Sequence, residues 1–234
     1  MLYEPAKRII KKALGRPTFV GMEERAYQRL AGCGFKPDAI IDVGAYEGNW
    51  TRLASRVFGK VPCLMVEAQA SKRAALDRVC EDLALARYVS AVLSDKAGET
   101  VTFYEMETGS SFLAGQSNAP RSETKLISQT LDDVAEGLPG SSLFLKIDVQ
   151  GAELHVLAGG QMTLERAAMV QLEIAMLPFN KGAPTFLEVV SYMDGRGYVP
   201  FEISGESRLT GHLVQIDMLF APRDSGLRPS YITF

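Results

Sequence analysis

Asp42-Val43-Gly44-Ala45-Tyr46-Glu47-Gly48 follows the apolar run Ala39-Ile40-Ile41 and leads into a helical pattern that begins near Asn49. A strand, a glycine loop and a helix in this order make a nucleotide-type site. Gly44 and Gly48 have no Cβ, so the chain can turn sharply and a ligand can approach the main chain. The spacing decides which ligand. A dinucleotide site needs Gly-x-Gly-x-x-Gly, with an anionic pyrophosphate on the helix N-terminus. Here the pattern is Asp-x-Gly-x-x-x-Gly, and Asp42 would repel a pyrophosphate.

A ligand with positive charge suits Asp42, such as the amino group and sulfonium of S-adenosylmethionine, because opposite charges attract more strongly in a partly desolvated cleft. The second half of such a site is an acid at the end of the next strand. Glu67 ends the apolar run Pro62-Cys63-Leu64-Met65-Val66, and a carboxylate there accepts hydrogen bonds from two neighbouring ribose hydroxyls. Without Glu67, the glycine loop reads equally well as a tight turn.

The chain has 234 residues, 47% of them hydrophobic, which predicts one sizeable core and a single α/β domain. A net charge of −3 argues against nucleic acid as the partner, since neutralising phosphates takes a basic face. Cys33, Cys63 and Cys80 are an odd, scattered set with no Cys-x-x-Cys pair, so they read as reduced core residues of a cytoplasmic protein. No run approaches the roughly 20 apolar residues of a membrane span, and the start lacks the features of a signal peptide. Lys7, Arg8, Lys11, Lys12 and Arg16 alternate with Ile9, Ile10 and Leu14. This segment reads as a solvated helix capping the domain, with contact to an anionic membrane or a partner as the other reading. The expected division is a capping segment at 1–36, the main domain at 37–222 and a tail at 223–234.

Along the chain, apolar strands alternate with helical patterns, which predicts a doubly wound, mostly parallel sheet. Strands are expected at 39–44, 62–67, 88–93, 100–104, 142–148 and 169–175. Helices are expected at 23–32, 49–57, 71–85, after Gly151 and at 185–195. A closing hairpin, 198–203 and 213–221 joined through Ser204–His212, supplies an antiparallel terminal strand. Thr108 to Glu123, rich in Gly, Ser, Asn and Pro, reads as a loop.

Lys146-Ile147-Asp148-Val149-Gln150-Gly151-Ala152-Glu153-Leu154 is the most specific run in the chain, and with it the sequence resembles the FkbM-type methyltransferases. The resemblance covers about 38–221. It includes Ile41-Asp42-Val43-Gly44-Ala45 with Gly48, Val66-Glu67, Leu93-Ser94-Asp95, Gly109-Ser110-Ser111 and Thr130-Leu131-Asp132-Asp133. Members commonly carry proline soon after the second-strand Glu, and Ala68-Gln69 departs from that. The resemblance implies a class I, Rossmann-like methyltransferase fold and S-adenosylmethionine-dependent O-methylation of a hydroxyl on a sugar or secondary metabolite, with S-adenosylhomocysteine as product. A non-catalytic S-adenosylmethionine-binding module and an NAD(P)-binding Rossmann oxidoreductase are the alternatives.

The expected cofactor contacts are Asp42, Gly44, Ala45, Gly48, Glu67, Ser94, Asp95 and Ser111. Ser94-Asp95 reads either as an adenine contact or as a turn before Gly98. Ser110, Ser111 and Phe112 suit a loop closing over the site. A hydroxyl acceptor needs its proton removed or its oxygen bound to a cation, so acids at the carboxyl ends of the strands matter. Asp148 has three readings: general base, structural partner of Lys146, or ligand of a divalent cation with Glu173 and Glu153. The cation is not favoured. His212, after Gly211 near the end, is the other candidate base, whereas His155 reads as helix packing. The expected partner is a small-molecule hydroxyl acceptor, with no nucleic acid. Oligomeric state is not legible.

Overall fold

β1 (Ala39–Val43), β2 (Cys63–Glu67) and β7 (Leu143–Ile147) are buried along their whole length, which is why they read as nearly continuous apolar runs, each with one charged residue near its end, rather than alternating ones. With β3 (Ala86–Ser90), β8 (Ala167–Ala175), β9 (Tyr198–Leu209) and β10 (His212–Pro222) they form a seven-stranded sheet of order β3-β2-β1-β7-β8-β10-β9. Pairs among β3, β2, β1, β7 and β8 are parallel, and β10 runs antiparallel to both β8 and β9. The order reverses between β1 and β7, so a crevice opens above their carboxyl ends, where open α/β sheets hold ligands. The computed structural model describes residues 19–115, 121–177 and 180–228. The basic segment of Lys7 to Arg16, the middle of the 108–123 loop, Pro178-Phe179 and the end of the expected tail lie outside the described residues.

Helices cover both faces. α1 (Phe19–Gly32) and α2 (Asn49–Phe58) pack Ala26, Leu30, Leu53 and Ala54 onto the row Ile40, Phe144, Met169 and Leu219. α3 (Arg73–Asp82) sets Leu76 and Val79 against Met65 on the same side. On the other face, α4 (Leu131–Val134), α5 (Glu153–Ala158), α6 (Gln161–Glu165) and α7 (Phe186–Gly195) bury Leu131, Val156, Leu164 and Met193 against Ile41, Leu145 and Val170.

The face under α1 changes character along the strands. Successive side chains on one face are two residues apart, so Ile40 is followed by Asp42, Phe144 by Lys146, and Met169 by Gln171. Asp42, Lys146 and Gln171 stand in register across β1, β7 and β8, and Glu173 is opposite Asp217 on β10. The apolar row thus gives way to a polar one at the carboxyl ends, beside the crevice.

Four expected elements differ. The run 88–93 is two strands. β3 ends at Ser90, and β4 (Val92–Leu93) joins β6 (Ser122–Gln129) and β5 (Thr100–Glu105) in a second sheet of order β4-β6-β5. β6 lies partly where a loop was expected: Ser-Glu-Thr-Lys at its start is exposed, so no apolar alternation marks it. The helix expected at 71–85 is a 3₁₀ turn at Ala70–Lys72 followed by α3, which ends at Asp82. The polar connection Ser204–His212 mostly continues β9; only Thr210 and Gly211 turn, with φ of 48° and 87°, as a tight hairpin requires.

Candidate functional site

Gly44 takes φ +76°, and a Cβ there would lie 1.9 Å from the Asp148 carbonyl oxygen. The close approach that needs this glycine is therefore by the end of β7, whose Asp148 N–H donates to the Val43 carbonyl at 3.0 Å. Gly48 is needed for packing too, since a Cβ at its φ of +71° would meet Val79 at 2.6 Å. The two glycines bring the ends of β1, β2 and β7 together around an open cleft of about 240 Å³.

Glu67 ends β2 at the cleft wall. Its Oε2 accepts the Tyr46 N–H at 2.7 Å and its Oε1 the Gln69 N–H at 2.8 Å, which fixes the carboxylate and leaves further lone pairs. Burial raises its pKa, against those two N–H bonds. Tyr46 has φ 51°, an uncommon backbone for a residue with a Cβ, and it aims this N–H at Glu67. Ala45 and Ser111 also line the cleft, and Ser111 is held by paired backbone bonds to Tyr104.

Asp42 does not reach the cleft, contrary to the expectation that it meets the ligand's charge. It is fully buried behind the loop, with Thr51 Oγ1 donating to it at 2.7 Å and Lys146 Nζ at 3.1 Å. Lys146 answers its charge. Ser94 and Asp95 also fall outside the cleft lining, because the chain leaves β3 earlier than expected; Val92 and Leu93 form that wall instead. Ser94 Oγ donates to Asp95 at 3.0 Å, and Asp95 lies 3.5 Å from His155 Nδ1. The His155 ring meets Phe112 edge-on at 5.4 Å, so this chain of contacts props the loop carrying Ser110, Ser111 and Phe112 over the cleft. His212 is exposed at the start of β10 and is not among the lining residues.

Asp148 lies at the cleft floor with its side chain 31% exposed. Its Oδ2 is 3.5 Å from Lys146 Nζ, and Gln150 Nε2 donates to its Oδ1 at 3.1 Å. Burial would raise this carboxyl, but Lys146 and the hydrogen bonds outweigh it and hold the group below the usual range. Lys146 is pushed the other way from what burial alone would do: Asp42 and Asp148 raise it, so it stays charged. Glu173 also receives a hydrogen bond from Gln150; burial and then the Asp148 charge push it well above the usual carboxylate range, which favours its protonated form. Glu153 points elsewhere than a cation site with these two would need. Its Oε1 accepts the N–H groups of Val149 at 3.2 Å and Gly151 at 3.0 Å. Among the described residues, no three His, Cys, Asp or Glu side chains are grouped to hold a metal ion.

A second network had no sequence signal beyond its residue types. Trp50 Nε1 donates to Tyr27, Tyr27 to Gln171, and Gln171 Nε2 to Glu23 at 2.9 Å, so α1 is hydrogen-bonded to the sheet beside Lys146. Only the pairing of β7 with β8 brings Gln171 there.

The raised carboxyls set a pH dependence. Burial lifts Glu153 to about 7, and burial followed by the charges of Glu23 and Asp148 lifts Asp217 to about 8. A raised acid binds its proton more tightly when folded, so its stabilisation is complete below the unfolded pKa and is lost as pH rises through the folded one. Stability should therefore fall between about pH 5 and 8. Glu153→Gln, which keeps an acceptor for both N–H groups, should match the native chain at pH 5. At pH 8 it should exceed it by on the order of 1–3 kcal/mol in urea unfolding. Parallel pH curves for the two chains would refute this.

A doubly wound sheet of this strand order, with a glycine loop after its first strand and an acid ending its second, defines a Rossmann-like methyltransferase with S-adenosylmethionine as cofactor. The model of the methyltransferase FkbM domain matches residues 42–200, and the chain belongs to that family. No curated protein sequence matches it. The solved structures similar to it include three methyltransferases. One is NcsB1, an O-methyltransferase from neocarzinostatin biosynthesis in complex with S-adenosyl-L-homocysteine (12% identity, TM-score 0.42, covering 79% of this chain and 49% of that one). The second is precorrin-6y C5,15-methyltransferase of Geobacter metallireducens (11%, 0.47, 85% and 87%). The third is 1,6-didemethyltoxoflavin-N1-methyltransferase of Burkholderia thailandensis (12%, 0.46, 86% and 79%). The chain spans about half the length of NcsB1.

The residues present fit the cofactor. Glu67 offers a fixed carboxylate with spare acceptors to a pair of hydroxyls, and Val92, Leu93 and Phe103 give an apolar wall for a flat ring.

Proposed function

We propose that the chain transfers a methyl group from S-adenosylmethionine to a hydroxyl of a small molecule, within a unit spanning 37–222. The observation that carries this reading is Asp148: a partly exposed carboxylate at the cleft floor, kept ionised by Lys146. The cofactor supplies a methyl carbon already bonded to a good leaving group. Asp148 accepts a hydrogen bond from the acceptor hydroxyl and so orients its oxygen. Asp148 would then take up the hydroxyl proton released as that oxygen gains the methyl group, the electron pair of the broken methyl–sulfur bond remaining on sulfur. A strong base is not needed, because the hydroxyl becomes strongly acidic as its oxygen gains the methyl group. A carboxylate held low by a lysine is then sufficient, provided it is positioned.

Glu67 is the residue proposed to hold the ribose hydroxyls. Glu67→Ala should weaken binding of the donor by about 10- to 100-fold, the scale of losing hydrogen bonds to a charged group. Calorimetry measures this, with a melting curve to show that the loop has kept its fold; an unchanged affinity would remove Glu67 from the site.

A small neutral acceptor is favoured over nucleic acid because the ionised Asp148 lies in the cleft and the chain carries a net charge of −3. Supplying the purified protein with methyl-labelled donor tests the reading. Label should enter ether-linked methyl groups on hydroxylated small molecules. Label on RNA, or on nitrogen or carbon instead, would overturn it.

A further inference from the structure

Gln150 stands between two cavities. It lines the main cleft, and on its other side it lines a small cavity of about 10 Å³ together with Gly151, Glu173, Asn180 and Gln215, enough for one hydroxyl oxygen. Gln150 has φ 57° and Gly151 φ +98°, a turn that swings the Gln150 amide back over both Asp148 and Glu173. A Cβ at Gly151 would lie 2.6 Å from that of Ala183, so the chain around Asn180 to Ala183 closes tightly on this turn.

The two cavities share a roof. The loop that covers the cleft with Ser110, Ser111 and Phe112 runs on to Gly115, which bridges to Asn180, and Lys181 N–H donates to the Ala114 carbonyl at 2.8 Å. Asn180 Nδ2 in turn donates to the Gln150 carbonyl. The cover of the cofactor cleft and the wall of the small cavity are thus one hydrogen-bonded structure.

The chemistry of the small cavity is neutral and two-sided. Amides supply donors and acceptors, and burial beside Asp148 favours the protonated form of Glu173, in which it can both donate and accept. Lysine, arginine and histidine are absent from its lining among the described residues, so an anionic group finds no partner there. Gln215, from β10 opposite Ala175, has no hydrogen-bond partner for its side chain among the described residues. It is available to a ligand.

We propose that this cavity is a second subsite, taking a neutral hydroxyl of the acceptor beside the one that is methylated, so that the enzyme selects a diol over a lone alcohol. The inference rests on the O-methyl reading above and deepens it. Gln215 is its specificity-determining residue, because a site built to hydrogen-bond a hydroxyl rejects the analogue that lacks it.

The test measures binding and turnover separately. With S-adenosylhomocysteine at saturation, affinities of cis-cyclohexane-1,2-diol, methyl α-glucopyranoside and cyclohexanol are determined by ligand-observed NMR for the native chain and for Gln215→Leu. The native chain should bind at least one diol ten times or more tighter than cyclohexanol. Gln215→Leu should bring that diol to the level of cyclohexanol while leaving S-adenosylhomocysteine affinity unchanged. Equal binding of diols and alcohol to the native chain, no binding of any, or a preference that survives Gln215→Leu overturns the subsite. If the diol preference and its Gln215 dependence hold but labelled donor never methylates the bound diol, the O-methyl reading fails instead.

Discussion

Lys146→Met should destabilise the chain by about 3–5 kcal/mol, the usual result of removing one partner of a buried ion pair. Asp42 is fully buried, and among the described residues Lys146 Nζ at 3.1 Å is the only cation that reaches it; Thr51 supplies one hydroxyl besides. Methionine fills the volume but leaves the Asp42 carboxylate uncompensated. The same ammonium also touches the Gly44 carbonyl at 3.3 Å and Asp148 at 3.5 Å, so the glycine loop and the cleft floor lose a shared anchor. Urea unfolding measures the loss. Lys146→Met combined with Asp42→Leu should recover part of it, because the variant then buries no orphaned charge. A single variant within 1 kcal/mol of the native chain would show that Asp42 does not depend on Lys146 for its compensation.

Asp148→Asn should lower kcat by about 10²- to 10⁴-fold, the range for loss of a positioned proton acceptor, while donor affinity stays within a few-fold. The substitution is nearly isosteric. Its Oδ1 can still accept the Gln150 amide, so the turn at 149–151 is kept. What is lost is the charge that orients the hydroxyl and receives its proton. Since burial and Lys146 together leave the native carboxyl below the usual range, the acidic limb of the pH–rate profile should lie lower than for an ordinary aspartate. Activity that survives Asp148→Asn would reduce Asp148 to a structural partner of Lys146.

Much of the fold was legible because its signals are local. β1, β2 and β7 are short, wholly buried runs, and β1 and β7 are each followed by a turn whose glycines have a job that a single sequence displays. Glu67 was legible for the same reason, as an acid placed at a strand end. β6 was not, because only its pairing with β5 and β4 makes Ser122–Gln129 a strand, and its exposed polar start carries no alternation. Ser94 and Asp95 were expected at the cleft, which they do not line, because the apolar run 88–93 hides a change of sheet at Ala91. Asp42 was placed there too because its partner, Lys146, lies 104 positions further along. Gln150, Asn180 and Gln215 are amides whose meaning comes from being brought together, and amides occur everywhere.

Trp50 is the chain's one tryptophan. It lines the cleft, with its ring 5.8 Å from Lys146 Nζ and its indole N–H on Tyr27. Indole emission responds to nearby charge and to water, so excitation of this single fluorophore reads occupancy of the cleft directly. Quenching titrations on unlabelled protein then follow ligand entry in real time, with no background from any other tryptophan.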